Sequence, residues 1–299
     1  LATRYSHPQE LVELLRESVG GDQIEALLKA DNEIAPTVLH ANPLKADAEA
    51  VFSELSEQGV ALMPHPWLPG CRFAQGTGNL ERLDAFRDGR VYVQDPAAHL
   101  AALASGVQPG MTVLDMCAAP GGKSFAAAMQ MENRGEILSC DIHPHKLALI
   151  EKGAERLGIS IIRTALQNGT ERCELYLDKM DAVIADVPCS GLGVIRKKPD
   201  IRYKALEPLQ RLPEIQRAIL ENAGAYVRPG GTLIYSTCTV LRRENEAVAE
   251  DFLRAHPEFT PEAIPVPENS GLENDGMLTL LPNIHGTDGF FICKMRKHL

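Results

Sequence analysis

The sequence predicts an α/β fold, a mostly parallel sheet with helices on both faces, and three observations carry that expectation. Strand-like and helix-like segments alternate from residue 112 onward, the rhythm of a sheet built from crossover units. Residues 113–124, Val-Leu-Asp-Met-Cys-Ala-Ala-Pro-Gly-Gly-Lys-Ser, run from an apolar strand through a glycine turn into an alanine-rich helix. Asp141 closes the next strand about 20 residues past that turn, where such folds place an acid against a ribose.

The strands of the main domain are read at 112–116, 136–141, 159–165, 182–186, 231–236, 277–280 and 290–295, a seven-stranded sheet. Helices are read at 123–131, 144–157, 212–227 and 244–256. Ahead of this domain, 32–95 reads as a small α+β module. It has strands at 37–40, 60–63, 71–74 and 90–94 and helices at 46–58 and 80–86. Asp95-Pro96 caps the helix that leads into the main domain, 96–299. Residues 1–31 read as two helices, the first opened by a Ser6/Gln9 capping box and ended at Gly20-Gly21.

Composition narrows the function classes. The 299 residues are 44% apolar and 23% charged, ordinary for a soluble protein. No run of about 18 apolar residues predicts a membrane span, and no signal-peptide core opens the chain, so the expected location is the cytoplasm. The seven cysteines are spread singly and odd in number, which argues against a disulfide framework and against a metal site. The formal charge of −10 does not advertise nucleic acid. A local basic run, Arg196-Lys197-Lys198 with Arg202 and Lys204, could still meet phosphates; the plainer reading is a solvated loop.

Three ligands suit the glycine turn. A dinucleotide asks for G-x-G-x-x-G, which is missing. A P-loop nucleoside triphosphatase asks for G-x-x-x-x-G-K-[ST]; Gly122-Lys123-Ser124 fits its end, but Cys117 stands where its first glycine belongs. S-adenosylmethionine needs no phosphate cradle, and its carboxylate could meet Lys123 or the helix N-terminus. An ordinary glycine turn with no ligand is the bland alternative.

Two later strands end in cysteine: Asp186-Val187-Pro188-Cys189-Ser190-Gly191 and Tyr235-Ser236-Thr237-Cys238-Thr239. A lone cysteine is usually a small buried hydrophobe. Two at neighbouring strand tips, where parallel sheets bind ligands, point to chemistry. Carbon 5 of cytosine is too weak a nucleophile to accept a methyl group unaided. A thiolate adding at carbon 6 makes carbon 5 enamine-like, which is covalent catalysis. Asp186 would hydrogen bond the base at N3 and N4. The chemistry alone leaves open which thiol attacks.

These segments, with Cys-Ala-Ala-Pro-Gly-Gly-Lys (117–123), Lys-Pro-Asp-Ile-Arg (198–202) and Asp-Gly-Phe-Phe (288–291), resemble the Fmu/Sun family of RNA (cytosine-5)-methyltransferases, in family order over 32–299. The resemblance implies a Rossmann-like class I methyltransferase domain and a small RNA-binding module. It implies S-adenosyl-L-methionine held by Cys117, Ala118, Ala119, Pro120, Gly121, Gly122, Lys123, Asp141, Asn168 and Asp186. It implies Cys238 as nucleophile, Cys189 as the thiol that helps release product, and Asp186 between cofactor and base. The expected substrate is RNA, small-subunit rRNA first and tRNA as the alternative, guided by Arg196, Lys197, Lys198 and Arg202. No obligate protein partner is expected. Asn168 stands where the family carries an Asp, and His40-Ala41-Asn42 where it carries Arg-x-Asn. Only the first thirty residues stand in place of the helical domain that precedes this core in bacterial rRNA enzymes.

Overall fold

The computed structural model describes the backbone of residues 1–299 and every side chain except that of Asn269. The chain opens with α1 (Ala2–Tyr5), α2 (Gln9–Val19) and α3 (Gly21–Ala30). The expected capping box does not form. Ser6 sits in the left-handed region at the end of α1, and Gln9 turns its amide to Glu13. The helix α2 begins instead at Pro8, whose fixed φ suits a helix start. Leu11, Val12 and Leu15 on α2 and Ile24, Leu27 and Leu28 on α3 bury one stripe each. They pack against Leu192, Ile195 and Leu241 of the main domain.

The next unit is β1 (Thr37–Ala41), α4 (Ala48–Glu57), β2 (Ala61–Pro64), β3 (Cys71–Gln75), α5 (Asp84–Arg87) and β4 (Val91–Val93). Its four strands form one antiparallel sheet in the order β2-β3-β1-β4. Asp47 caps α4 by accepting from the Ala50 N–H. This sheet is packed against the main domain. Val38, Trp67 and Cys71 share an apolar cluster with Leu100, Ile234 and Ile292 of the main domain. Asn42 also donates to the carbonyls of Gly89 and Leu157, 2.8 and 2.9 Å away.

The main domain follows: α6 (Pro96–Ala104), β5 (Thr112–Asp115), α7 (Gly122–Gln130), β6 (Glu136–Asp141), α8 (Pro144–Leu157), β7 (Ile162–Leu166), β8 (Met180–Asp186), α9 (Leu212–Tyr226), β9 (Val227–Thr237), α10 (Glu246–Ala255), β10 (Phe259–Pro261), β11 (Met277–Leu280), α11 (Pro282–His285) and β12 (Phe290–Lys297). The strands β7-β6-β5-β8-β9 are parallel, and β12 runs antiparallel to β9. The strand order reverses between β5 and β8, so the carboxyl ends of those strands frame the crevice where ligands bind.

The sheet holds eight strands rather than seven, because its edge is split. Residues 290–293 of β12 pair with β11, and residues 295–297 pair with β10, on the side away from β9. Phe259-Thr260-Pro261 is too short to show a period, so the sequence concealed it. Alanines 126–128 of α7 and Ala97, Ala101, Ala102 and Ala104 of α6 are buried, and small side chains let these helices lie close beside the ligand crevice.

Candidate active site

The site is assembled at the carboxyl ends of β5, β8 and β9. After β5 the chain turns through 116–121 into α7. Gly121 has φ +113, and a Cβ there would stand 2.4 Å from the Phe125 ring, so glycine alone fits. The turn lines a cavity of about 200 Å³ with Cys117, Ala118, Ala119, Pro120, Gly122 and Lys123. Asp115, Asp186, Val93, Gln94 and Ala98 complete it. Asp115 is buried; one oxygen accepts from Ser124 at 2.7 Å and the other has no partner among the described residues. Burial pushes its carboxyl up to about 7.

Lys123 does not point at a vacant anion site. Its ammonium lies 2.6 Å from Asp186 Oδ2 and 5.2 Å from the centre of the Phe290 ring. Burial pulls its pKa down, but the Asp186 carboxylate outweighs that and the net shift is upward. Asp186 Oδ1 accepts from Ser236 at 2.8 Å. With its lysine already spent and two carboxylates in its wall, the cavity is built against a triphosphate. A P-loop presents a free lysine and backbone N–H groups to phosphate. An orphaned buried carboxylate oxygen suits a ligand that brings N–H groups or positive charge.

The two thiols meet. Cys189 Sγ and Cys238 Sγ are 3.2 Å apart, and both are partly buried. The hydrogen bond from Cys189 lowers the pKa of Cys238, and the Lys123 charge acts in the same direction. That hydrogen bond, with burial, raises Cys189. The two shifts run in opposite directions, so the pair favours its negative charge on Cys238. The remaining five cysteines are not in this arrangement: burial, for example, raises Cys71 and Cys140 to about 12.

Sequence reasoning missed what holds the thiol loops. Glu244 is fully buried ahead of α10. Its Oε2 accepts from Ser190 N and from Gln216 Nε2, each at 2.9 Å, and Gln216 also donates to Pro188 O. Tyr235 OH donates to the Glu244 carbonyl. Asn245 donates to Thr239 O and accepts from Thr237. The segments bearing Cys189 and Cys238 are thus pinned to one helix entry. A second link is backbone alone: Gly193 N donates to Cys238 O at 3.0 Å, and Gly289 N donates to Gly193 O at 2.8 Å. None of these residues carries a spacing that marks it in advance. Gln94 was legible only as the end of a short strand.

Other expected residues lie elsewhere. Asp141, at the tip of β6, accepts from His143 N at 2.9 Å and does not cap α8. Asn168 accepts from Thr170 and donates to Glu171, folding onto its own loop rather than lining the cavity. His40 is buried, stacks with Tyr92 and bonds the Gln94 carbonyl at 3.1 Å, so it props a cavity residue and is not a surface contact. Within the basic run, Arg202 is buried and donates to Ser6 O, Asn32 Oδ1 and Asp31 O. The Arg196 side chain is 6% exposed beside Asp288, and Lys197 bridges Asp95 and Asp288. Lys198 and Lys204 are exposed.

Comparisons with known proteins identify the family of the chain. Residues 102–296 match the family described as 16S rRNA methyltransferase RsmB/F, and residues 7–73 match its ferredoxin-like domain. A probable ribosomal RNA small subunit methyltransferase B of Bacillus subtilis is 38% identical, over 99% of this chain and 68% of its own. The ribosomal RNA small subunit methyltransferase B of Citrobacter koseri is 30% identical, over 98% of this chain and 67% of its own. Among solved structures, that of PH0851 superposes with a TM-score of 0.92 at 31% identity, covering 99% of this chain and 67% of that one. NSun6 from Pyrococcus horikoshii with SFG shares the fold, with a TM-score of 0.86 at 23% identity over 97% of this chain and 98% of that one.

Proposed function

The chain belongs to the 16S rRNA methyltransferase RsmB/F family, and we propose that it methylates carbon 5 of a cytosine in RNA, small-subunit rRNA in the first instance, with S-adenosylmethionine as donor. The observation that supports this most is the thiol pair, 3.2 Å apart, beside a cavity whose lysine is bonded to Asp186.

Residues 117–122 and Asp115 would hold the cofactor, which supplies an electrophilic methyl group when bound. The roles of the protein groups follow from their placement. Cys238, the more acidic thiol, adds to carbon 6 of the base and forms a carbon–sulfur bond. Asp186, fixed by Lys123 and Ser236, accepts a hydrogen bond from the N4 amino group and so orients the ring for attack. After methylation, solvent takes the carbon 5 proton, the freed electron pair re-forms the carbon 5–carbon 6 double bond, and the carbon–sulfur bond breaks to release the Cys238 thiolate. Cys189 hydrogen bonds that departing sulfur and eases its release. The target base must leave its stack to reach this depth.

The test is methyl transfer from labelled donor to small-subunit rRNA and, in parallel, to tRNA, followed by mapping of the modified atom. Label at carbon 5 of cytosine, through a denaturant-stable protein–RNA adduct that needs Cys238, is the expected result. Label on another atom, or turnover by Cys238→Ala, would refute the reading.

A further inference from the structure

A cavity of about 620 Å³ lies outside the site just described and has no role in it. One wall is 31–35, the segment that leaves α3; the other is 196–203. We propose that it receives the base of a nucleotide flanking the target cytosine, stacked on Tyr203 and packed against Ile34, with its phosphates outward toward Lys198 and Lys204. This rests on the RNA reading above.

Four features carry the assignment. Tyr203 is 67% exposed and is the one Phe, Tyr or Trp among the described residues whose side chain is left in water. Ile34, in the other wall, is 96% exposed. An aromatic face and an apolar partner across a gap form a stacking platform, which every base can use. The floor is charge-compensated: Arg202 lies by Asp31, which also faces His7, and Arg196 lies by Asp288. A charge-compensated floor fits a base inside, and Lys198 and Lys204, exposed and adjacent in sequence to lining residues, supply cations for the phosphates outside. Glu33, exposed in the wall, offers an acceptor to an amino or ring N–H group.

Position is the fourth feature. Lys197 lines this cavity and bonds Asp288 at 2.7 Å. The next residue, Gly289, bonds Gly193, and Gly193 bonds the Cys238 carbonyl. The cavity wall and the nucleophile loop are therefore parts of one hydrogen-bonded chain, which is why the cavity is assigned to a nucleotide flanking the target.

The experiment measures binding of fluorescein-labelled small-subunit rRNA, and methyl transfer to it, for the wild type, Tyr203→Ala and Tyr203→Phe. S-adenosylmethionine binding and thermal melting serve as controls; Tyr203 is exposed, so the fold should persist. Tyr203→Ala should weaken RNA binding about 5- to 100-fold, Tyr203→Phe should stay near wild type, and donor binding should not change. Unchanged RNA affinity in Tyr203→Ala with methyl transfer intact would overturn the subsite and leave the RNA reading standing; that outcome is also expected if the face docks a protein. Equal losses in Tyr203→Ala and Tyr203→Phe would overturn stacking. A wild type that neither binds nor methylates RNA would fail the underlying reading itself.

Discussion

The tips of β8 and β9 each present a cysteine to the same crevice, and the two residues behave oppositely. Cys189 follows a proline and has its pKa raised; Cys238 follows buried Ser236 and Thr237 and has its pKa lowered. Asp186 weighs against ionisation of both thiols, whereas Lys123 favours it at Cys238 and Glu244 opposes it at Cys189. Identity of side chain therefore says little about role here. The asymmetry comes from which neighbour each sulfur faces, and those neighbours are supplied by α7 and by the entry to α10.

Substitution can break that asymmetry. Cys238→Ala should lower turnover by about 10⁴-fold or more, the scale seen when a nucleophile is removed, with no adduct on a denaturing gel. Cys189→Ala should cost less, on the order of 100-fold, and should let the adduct accumulate because the leaving thiolate loses its donor. If the two gels are exchanged, the assignment of the thiols is reversed. Lys123→Met should reduce kcat/KM roughly 10- to 100-fold, the worth of a hydrogen bond to a charged group, and should move the acidic limb of its pH profile upward, since the cation that favours the Cys238 thiolate is gone. An unmoved limb would remove Lys123 from the comparison.

Two smaller effects sharpen it. In Gly193→Ala the new methyl would stand 1.9 Å from Gly289 O, so the backbone link behind Cys238 must open. A loss of about 1–3 kcal/mol in denaturant unfolding, with activity impaired more than cofactor binding, is expected. Asp115→Asn should touch donor binding, because Asp115 lines the cofactor cavity, and in the cofactor-free protein it should show as a change in the pH dependence of stability. The folded state holds the Asp115 proton up to about pH 7, whereas the unfolded chain releases it near 4. Native protein therefore binds more protons across that window, and stability falls as pH rises from about 4 to about 7. Asp115→Asn should flatten this slope, measured by melting across the range.

The sequence disclosed the catalytic half better than the rest. The alternation of strands and helices, the glycine turn and both cysteine tips are local patterns, and β6, α8 and β11 fall on the residues predicted. Partnerships at long range were not legible. Lys123 was read as free for a ligand carboxylate, yet its partner stands 63 residues away on β8. Glu244 looks like any acid before a helix; burial against Ser190 and Gln216 gives it its importance. The division into 1–31, 32–95 and 96–299 follows changes of sequence texture. The shared cluster of Val38, Trp67 and Leu100 with Ile234, however, follows from folding and from no segment alone.

The inward turn of Arg202 reaches into the thermodynamics of nucleic-acid binding. Each phosphate neutralised on a single strand releases counterions, with a slope of about −0.7 per contact in a log–log salt titration. Five cations between 196 and 204 would suggest a slope of roughly −3.5 from this stretch. Arg202 and Arg196 are buried, and Lys197 is matched by Asp95 and Asp288, which leaves Lys198 and Lys204 and a slope nearer about −1.4. Ionic strength should then loosen this segment's grip far less than a tally of its positive letters suggests.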